Sequence, residues 1–182
     1  MRLLKEGVAW FSSLFTGMAI ALIISIFILQ PTKVLGHSME PTLMPDHHIF
    51  VSKLPCVLQY HPHHGDIVII DSRIHHQRTW VDDLMDSPLY VWITGTSPHN
   101  IWVKRVIGVP RDVIEIKNNR VYRNNQLLKE SYIKEEMNNT PDMKITVPDN
   151  CIFVMGDNRN YSMDSREIGC VPIDHVLGVK IF

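Results

Sequence analysis

The fold class this sequence predicts is mostly β: one antiparallel β domain behind a single N-terminal membrane-spanning helix. Three observations predict it. From Gly7 to Gln30 no charged residue occurs, a run of about 24 that at 1.5 Å per residue crosses a bilayer core of roughly 30 Å. Beyond it, short β-branched segments alternate with glycine, proline, asparagine and aspartate turn signals almost to the end of the chain. The 182 residues less that run leave about 150, close to the size of one domain.

Taken in order, residues 1–6 are expected to be a cytoplasmic N-terminus, 7–30 an anchor and 31–182 an extracytoplasmic domain. A cleavable signal peptide has an apolar region of about 7–15 residues and a small-residue cleavage site. Here the run is longer and ends Ile28-Leu29-Gln30-Pro31, which favours a retained span. Arg2, Lys5 and the amino terminus flank its inner end and Lys33 alone its outer end, so the positive-inside bias puts the domain outside. Pro31 and Gly36 mark the exit. His47 to Leu54 follows as a strand, then Ile67 to Ile70, whose four β-branched residues suit a strand buried on both faces. Asp112 to Lys117 and Arg120 to Arg123 form a hairpin around Asn118-Asn119, because asparagine tolerates the left-handed conformation such turns demand. Asn124-Asn125 is a second turn, and Lys144 to Val147, Ile152 to Met155 and Val176 to Ile181 supply three more strands. Residues 71–100, with His75-His76, Asp82, Asp83 and Asp86 and the apolar stretch Leu89 to Ile93, read as an insertion between two core strands, with its own hairpin.

Composition narrows the function. The net charge is −1 and no lysine and arginine run is long enough for a nucleic-acid footprint, so nucleic acid is not an expected partner. Cys56, Cys151 and Cys170 are too few and scattered for a disulfide framework and form no CxxC pair, which leaves one bridge or none. The most informative residue is a lysine. In Ile101-Trp102-Val103-Lys104-Arg105-Val106-Ile107, strand alternation puts Trp102, Lys104 and Val106 on one face. An ammonium on an apolar face costs several kcal/mol unless paired or deprotonated, and desolvation lowers its pKa toward neutrality. Such a lysine can snorkel to water at a strand end or serve as a general base. A matching nucleophile is Ser38, in Gly36-His37-Ser38-Met39-Glu40-Pro41-Thr42-Leu43. A neutral amine could take its hydroxyl proton without any histidine, and a glycine-containing turn lets backbone N–H groups face a developing oxyanion. Met39 and Leu43 beside it are fit to pack into the domain or touch lipid. The polar loop Gly156-Asp157-Asn158-Arg159-Asn160-Tyr161-Ser162-Met163-Asp164-Ser165-Arg166, directly after an apolar strand, has the density of opposed charges and hydroxyls that orienting a catalytic amine requires.

Ser38-Met39-x-Pro41-Thr42-Leu43, Gly65-Asp66-Ile67-Val68, Lys104-Arg105-Val106-Ile107-Gly108 and the Gly156 to Arg166 loop together resemble the four soluble-domain boxes of type I signal peptidases. They occur in family order over roughly 130 residues, behind a matching anchor, and look most like the compact bacterial enzymes of Gram-positive type. The resemblance implies an antiparallel, barrel-like β domain lying against the membrane, Ser38 as nucleophile and Lys104 as general base. It implies Ser162 as the serine that hydrogen-bonds the catalytic amine, and Asp164 and Arg166 as a supporting ion pair. The implied substrates are the signal peptides of exported preproteins, cut after small residues at the first and third positions before the scissile bond. The lipid bilayer and the secretion translocon are the other implied partners, the cell membrane the location, and no metal or organic cofactor is needed. Two departures stand out. Pro110-Arg111-Asp112 replaces the usual Pro-Gly-Asp, so a turn that prefers glycine must hold arginine. Gly36 stands where some members carry a serine that completes the oxyanion hole.

Five rival readings stand beside this one. Ten histidines, including His61-Pro62-His63-His64, invite a metal site, but their contexts are loop-like and no HExxH spacing occurs. His37 beside Ser38 invites a Ser-His-Asp triad, yet adjacent residues seldom orient toward each other. A mitochondrial inner-membrane-type processing peptidase shares the boxes, and a catalytically silent, membrane-anchored binding protein could share the scaffold. The self-cleaving domains of SOS-response repressors use a similar Ser/Lys pair, but they are soluble and carry a DNA-binding domain.

Overall fold

Alternating burial and left-handed turns account for most of the architecture. The structure is a computed structural model and describes residues 2–27, 29–54, 62–85, 90, 94–95 and 100–181. Helix α1 (Arg2–Phe27) leads into β1 (Leu29–Lys33), which pairs antiparallel with β2 (His48–Ser52). The helix stops short of the expected boundary at Gln30, because Leu29 and Gln30 already lie in the ladder opposite Ser52 and Val51. Among the described residues no helix is long and apolar enough to cross a membrane. In the first half of α1, Trp10, Phe11, Leu14 and Phe15 are largely exposed.

Strands β3 (Ile67–Asp71) and β4 (Ile101–Gly108) pair in unbroken register from Ile67↔Arg105 to Asp71↔Ile101. The chain between them leaves and returns at one point, where the Ser72 N–H donates to the Asn100 carbonyl (2.8 Å). This is the segment the sequence reads as an insertion between two core strands. Its described part holds a short helix, α2 (Trp80–Met85), and the expected hairpin falls on residues 86–99, most of which lie outside the described residues. The helix start is capped locally, Asp82 accepting both the Thr79 N–H (2.9 Å) and its hydroxyl (2.8 Å). The fully buried Asp71 gathers Arg73 and Arg78 beside it. Of Leu89 to Ile93, all but Tyr90 lies outside the described residues.

The second, smaller sheet runs β7-β6-β5-β8 and comprises β5 (Val113–Lys117), β6 (Arg120–Arg123), β7 (Gln126–Leu127) and β8 (Met143–Thr146). Asn118 and Asn119 have φ of 50° and 59°, and Asn124 and Asn125 of 52° and 65°, so both asparagine pairs make the tight left-handed turns expected of them. Strands β9 (Cys151–Met155), β10 (Val171–Pro172) and β11 (Val176–Lys180) complete a seven-stranded sheet ordered β1-β2-β11-β3-β4-β9-β10. Every pairing in both sheets is antiparallel. Ile107, Phe153 and Met155 of the large sheet meet Ile114, Ile116 and Val121 of the small one. Val68, Ile70, Val106 and Val154 form a second core, and Ile69 joins a third with Ile49 and Val51. The β-branched run of β3 is therefore covered on both faces. Cys151 and Cys170 are free thiols, and Cys56 lies outside the described residues.

The turn that links the two sheets carries the arginine departure. The Asp112 N–H donates to the Val109 carbonyl (3.0 Å) around Pro110-Arg111, and Arg111 has φ of 73°. This is a type II turn with a non-glycine residue at its left-handed position. That conformation costs an L-residue roughly 1–2 kcal/mol, while glycine would return about 0.4–1 kcal/mol of that through the freer unfolded chain. The exposed Arg111 to Asp149 pair (3.0 Å) is worth about 0–1 kcal/mol. Arg111→Gly is therefore expected to raise stability by about 0.5 kcal/mol and Tm by about 1–2 °C. A fall in Tm on calorimetry would mean the ion pair outweighs the backbone strain.

Candidate active site

Strand β4 presents alternate residues to its two faces. Val103 packs with Met39, Leu43 and Ile69, whereas Trp102 and Val106 pack with Val68 and Val154. Lys104 belongs to the second set, only 3% exposed, with its amine 5.5 Å from the centre of the Trp102 ring. Snorkelling to water is thereby ruled out. Met39 and Leu43 are core residues, so packing into the domain is their role. Because Met39 turns toward the face of Val103, its neighbour Ser38 turns toward that of Lys104. Ser38 Oγ lies 2.8 Å from Lys104 Nζ, and Ser38 itself is half-buried. Burial strips water from the amine and pushes the Lys104 pKa down to about 8, with Asp164 opposing and Arg166 reinforcing the shift. A lysine at that value is roughly one-tenth neutral at pH 7, against about one part in 2,500 for a free one.

The loop Gly156 to Arg166 closes around this pair. A Cβ built on Gly156 would lie 2.3 Å from Ser162 Oγ and 2.5 Å from the Ser38 carbonyl oxygen, so glycine is required there for close approach. Asn158 fastens the serine turn, its N–H donating to the Ser38 carbonyl (2.9 Å) and its Nδ2 to the His37 carbonyl (3.1 Å). The Asp164 carboxylate takes a fork from Arg166, Nε at 2.8 Å and Nη2 at 2.9 Å, together with the Gly156 N–H at 3.0 Å. Burial alone would push this carboxyl up, but Arg166, Gly156 and Ser162 hold it below the usual carboxylate range. Ser162 donates its proton to Asp164 Oδ2 (2.7 Å). Among the described residues, the hydrogen bond of the Lys104 amine goes to Ser38 and not to Ser162, whose oxygen keeps its lone pairs for another donor. Ser165 accepts the Val154 N–H (2.9 Å), which ties the far side of the loop to β9.

Further contacts join residues of the quoted boxes to one another and to the unmarked segment 128–140. Arg105 forks onto Asp157, Nε at 2.8 Å and Nη2 at 2.6 Å, and Thr42 donates to the same carboxylate at 2.5 Å. The Arg105 guanidinium lies 4.2 Å from the centre of the Tyr132 ring. Glu130 holds the buried Arg159 by two bonds, at 2.5 and 2.9 Å. Segment 128–140 thus wraps the back of the loop. Its only sequence signal is the density of charges Lys129, Glu130, Lys134, Glu135 and Glu136, which equally describes a solvated surface.

The histidines point elsewhere. The His37 ring is largely exposed and meets Glu40 (Nδ1 to Oε1, 2.5 Å), not Ser38. His64 pairs with Asp112 (2.6 Å) and His76 with Asp82 (3.3 Å). Among the described residues no three histidine, cysteine or acidic side chains form a group that could hold a metal ion.

A hydroxyl set against a desolvated amine is the arrangement that lets a serine peptidase work with a lysine base. The comparisons with known proteins agree with that class. The sequence model of the signal peptidase family, peptidase S26, matches residues 7–182. The probable signal peptidase I-1 of Synechocystis is 32% identical over 173 residues, covering 93% of this chain and 78% of that protein. Signal peptidase I S of Bacillus subtilis is 32% identical over 189 residues, covering 98% and 89%. Thylakoidal processing peptidase 1 of Arabidopsis thaliana is 26% identical, covering 92% of this chain and 45% of that protein. The chain belongs to the signal peptidase family, peptidase S26, and is a serine peptidase.

Proposed function

We propose that this protein removes signal peptides from exported preproteins, with Ser38 as nucleophile and Lys104 as general base. The observation that carries this is the 2.8 Å separation of Ser38 Oγ and Lys104 Nζ with the amine buried. Neutral Lys104 accepts the Ser38 proton as the hydroxyl oxygen attacks the scissile carbonyl. The oxyanion is met by backbone N–H groups, including that of Ser38. The protonated amine then donates to the departing amine of the mature protein, leaving an acyl-enzyme, and neutral Lys104 next activates the water that hydrolyses it. Ser162, with its proton committed to Asp164, offers an oxygen lone pair to the amine, and the Asp164 to Arg166 fork holds Ser162 in place. Shallow pockets select small residues at the first and third positions before the cut, because larger side chains clash.

In this proposal the helical part of that run, residues 7–27, anchors the enzyme with its N-terminus in the cytoplasm and its domain outside, beside the translocon. Support comes from the uncharged run and from the exposed Trp10, Phe11, Leu14 and Phe15 of α1. Leu35, Phe50 and Ile181 are also exposed, at 66%, 44% and 46%, and Ile181 is bonded to Phe50 through its backbone, which suits a face resting on lipid.

The test is cleavage of a preprotein bearing an Ala-x-Ala site by the full-length protein in detergent, followed across pH. Only the neutral amine is a base, so kcat/KM should rise about tenfold per pH unit below the Lys104 pKa and level off above about 8. A flat profile between pH 6 and 10, or a midpoint near the histidine value of about 6.5, would reject the lysine base.

A further inference from the structure

We infer that Glu40 is a positioning residue: clamped between His37 and Lys134, it holds the turn that carries Ser38 at the distance Lys104 requires. The inference rests on the Ser38 and Lys104 roles proposed above. Ser38 occupies a tight turn from His37 to Glu40, closed on the backbone by the Glu40 N–H donating to the His37 carbonyl (3.2 Å). The same two residues close it again through their side chains, His37 Nδ1 to Glu40 Oε1 at 2.5 Å. The other carboxylate oxygen, Oε2, accepts from Lys134 Nζ at 2.7 Å. Lys134 is in turn fixed on the catalytic loop, its backbone N–H donating to the Asp157 carbonyl (3.1 Å). The next residue, Asn158, holds the Ser38 carbonyl. The nucleophile thus sits inside a closed ring of contacts running from His37 through Glu40, Lys134 and Asp157 to Asn158 and back to Ser38.

The ring is needed because the chain before Ser38 is loose. Leu35, Gly36 and His37 are exposed, and a Cβ at Gly36 would touch nothing within 4 Å. On that side the Asn158 amide on the His37 carbonyl is joined, among the described residues, by no apolar packing, whereas Met39 and Leu43 fix the turn from its far side. Lys134 and His37 hold the Glu40 carboxyl below the usual carboxylate range, as expected for an acid that stays charged to accept both partners. A shift of about 1 Å between reacting atoms can cost about 100-fold in rate, so even a fraction of that movement is measurable.

The experiment measures preprotein cleavage by Glu40→Ala, Glu40→Gln, Lys134→Ala, Lys134→Arg and the double Glu40→Ala/Lys134→Ala protein, beside wild type and Ser38→Ala, with Tm recorded for each. Glu40→Ala and Lys134→Ala should each lower kcat about tenfold with KM within about twofold, the size expected of a small nucleophile displacement. The double variant should be no worse than either single one, because both break one ring, and Lys134→Arg should keep near-normal kcat. Lys134 is half-exposed, so its removal leaves the fold standing even if Glu40→Ala does not. Unchanged kcat in the single variants, losses that multiply in the double one, or losses that follow Tm across the series would overturn the inference. An inactive wild type, or an active Ser38→Ala, would instead reject the underlying proposal.

Discussion

Ser38→Ala and Lys104→Met should each abolish preprotein cleavage, lowering kcat by about 10⁶, the scale on which nucleophile and base act as one unit in serine peptidases. Lys104→Arg should fail equally, because a guanidinium stays protonated at any usable pH and cannot accept the Ser38 proton. Stability should move the other way. Lys104 is a buried cation whose nearest partner is a neutral hydroxyl, while Asp164 already has its own fork from Arg166. Replacing the amine with an apolar side chain of similar length removes a desolvation cost and should leave Tm unchanged or raised. Loss of activity with a lower Tm in Lys104→Met would place the lysine in the framework and not in the chemistry. Loss of activity with an equal or higher Tm, measured by gel-based cleavage and calorimetry on the same preparations, would assign it the role of base.

Gly156→Ala should be nearly as damaging although it adds one methyl group. At 2.5 Å from the Ser38 carbonyl and 2.3 Å from Ser162 Oγ, the new carbon demands that something move. Ser162 can rotate away from Asp164, but the carbonyl belongs to the backbone that Asn158 fastens. The displacement therefore falls on the nucleophile, and a shift of this order costs about 100-fold or more in kcat. Overpacking of this kind also costs about 1–3 kcal/mol of stability. Gly36→Ala is the control, with open space around its Cβ, and should stay within about threefold of wild type, since nothing there must move. Gly156→Ala activity within that same margin would show that the loop does not fasten the serine.

How legible these features were in the chain depended on whether the cause was local. The burial of Lys104 follows from one strand's alternation, and the asparagine turns follow from two residues each, so both are read directly from a few neighbouring letters. Arg111 stands out only against the Pro-Gly-Asp of the family the chain resembles, because the turn's need for a left-handed residue is carried by that pattern. The meeting of Ser38 with Lys104 is different, because 66 residues separate them and only chemistry and family likeness pair them in advance. The clamp behind the loop was not legible. Glu130 and Arg159 are 29 residues apart, segment 128–140 lacks any period, and burial of the Arg159 guanidinium depends on a partner that no spacing rule supplies. Helix α2 was missed for a related reason: Thr79 and Asp82 do form a capping pattern, but the helix is too short for apolar periodicity to show.

The pairing of β3 with β4 has a consequence for how this protein can diversify. Asp71 and Ile101 face each other in the ladder, and Ser72 and Asn100 are bonded directly beyond them, so the sheet brings the two ends of the intervening segment together, while Arg73 and Arg78 neutralise the buried Asp71 at its start. Closing a longer loop on such a preset base costs only about 0.6 kcal/mol per doubling of length. The chain beyond Arg78 can therefore lengthen or shorten without altering the strand that carries Lys104, provided Arg73 and Arg78 stay beside Asp71. Variation there leaves the pairing of β3 with β4, and so the place of Lys104, unchanged.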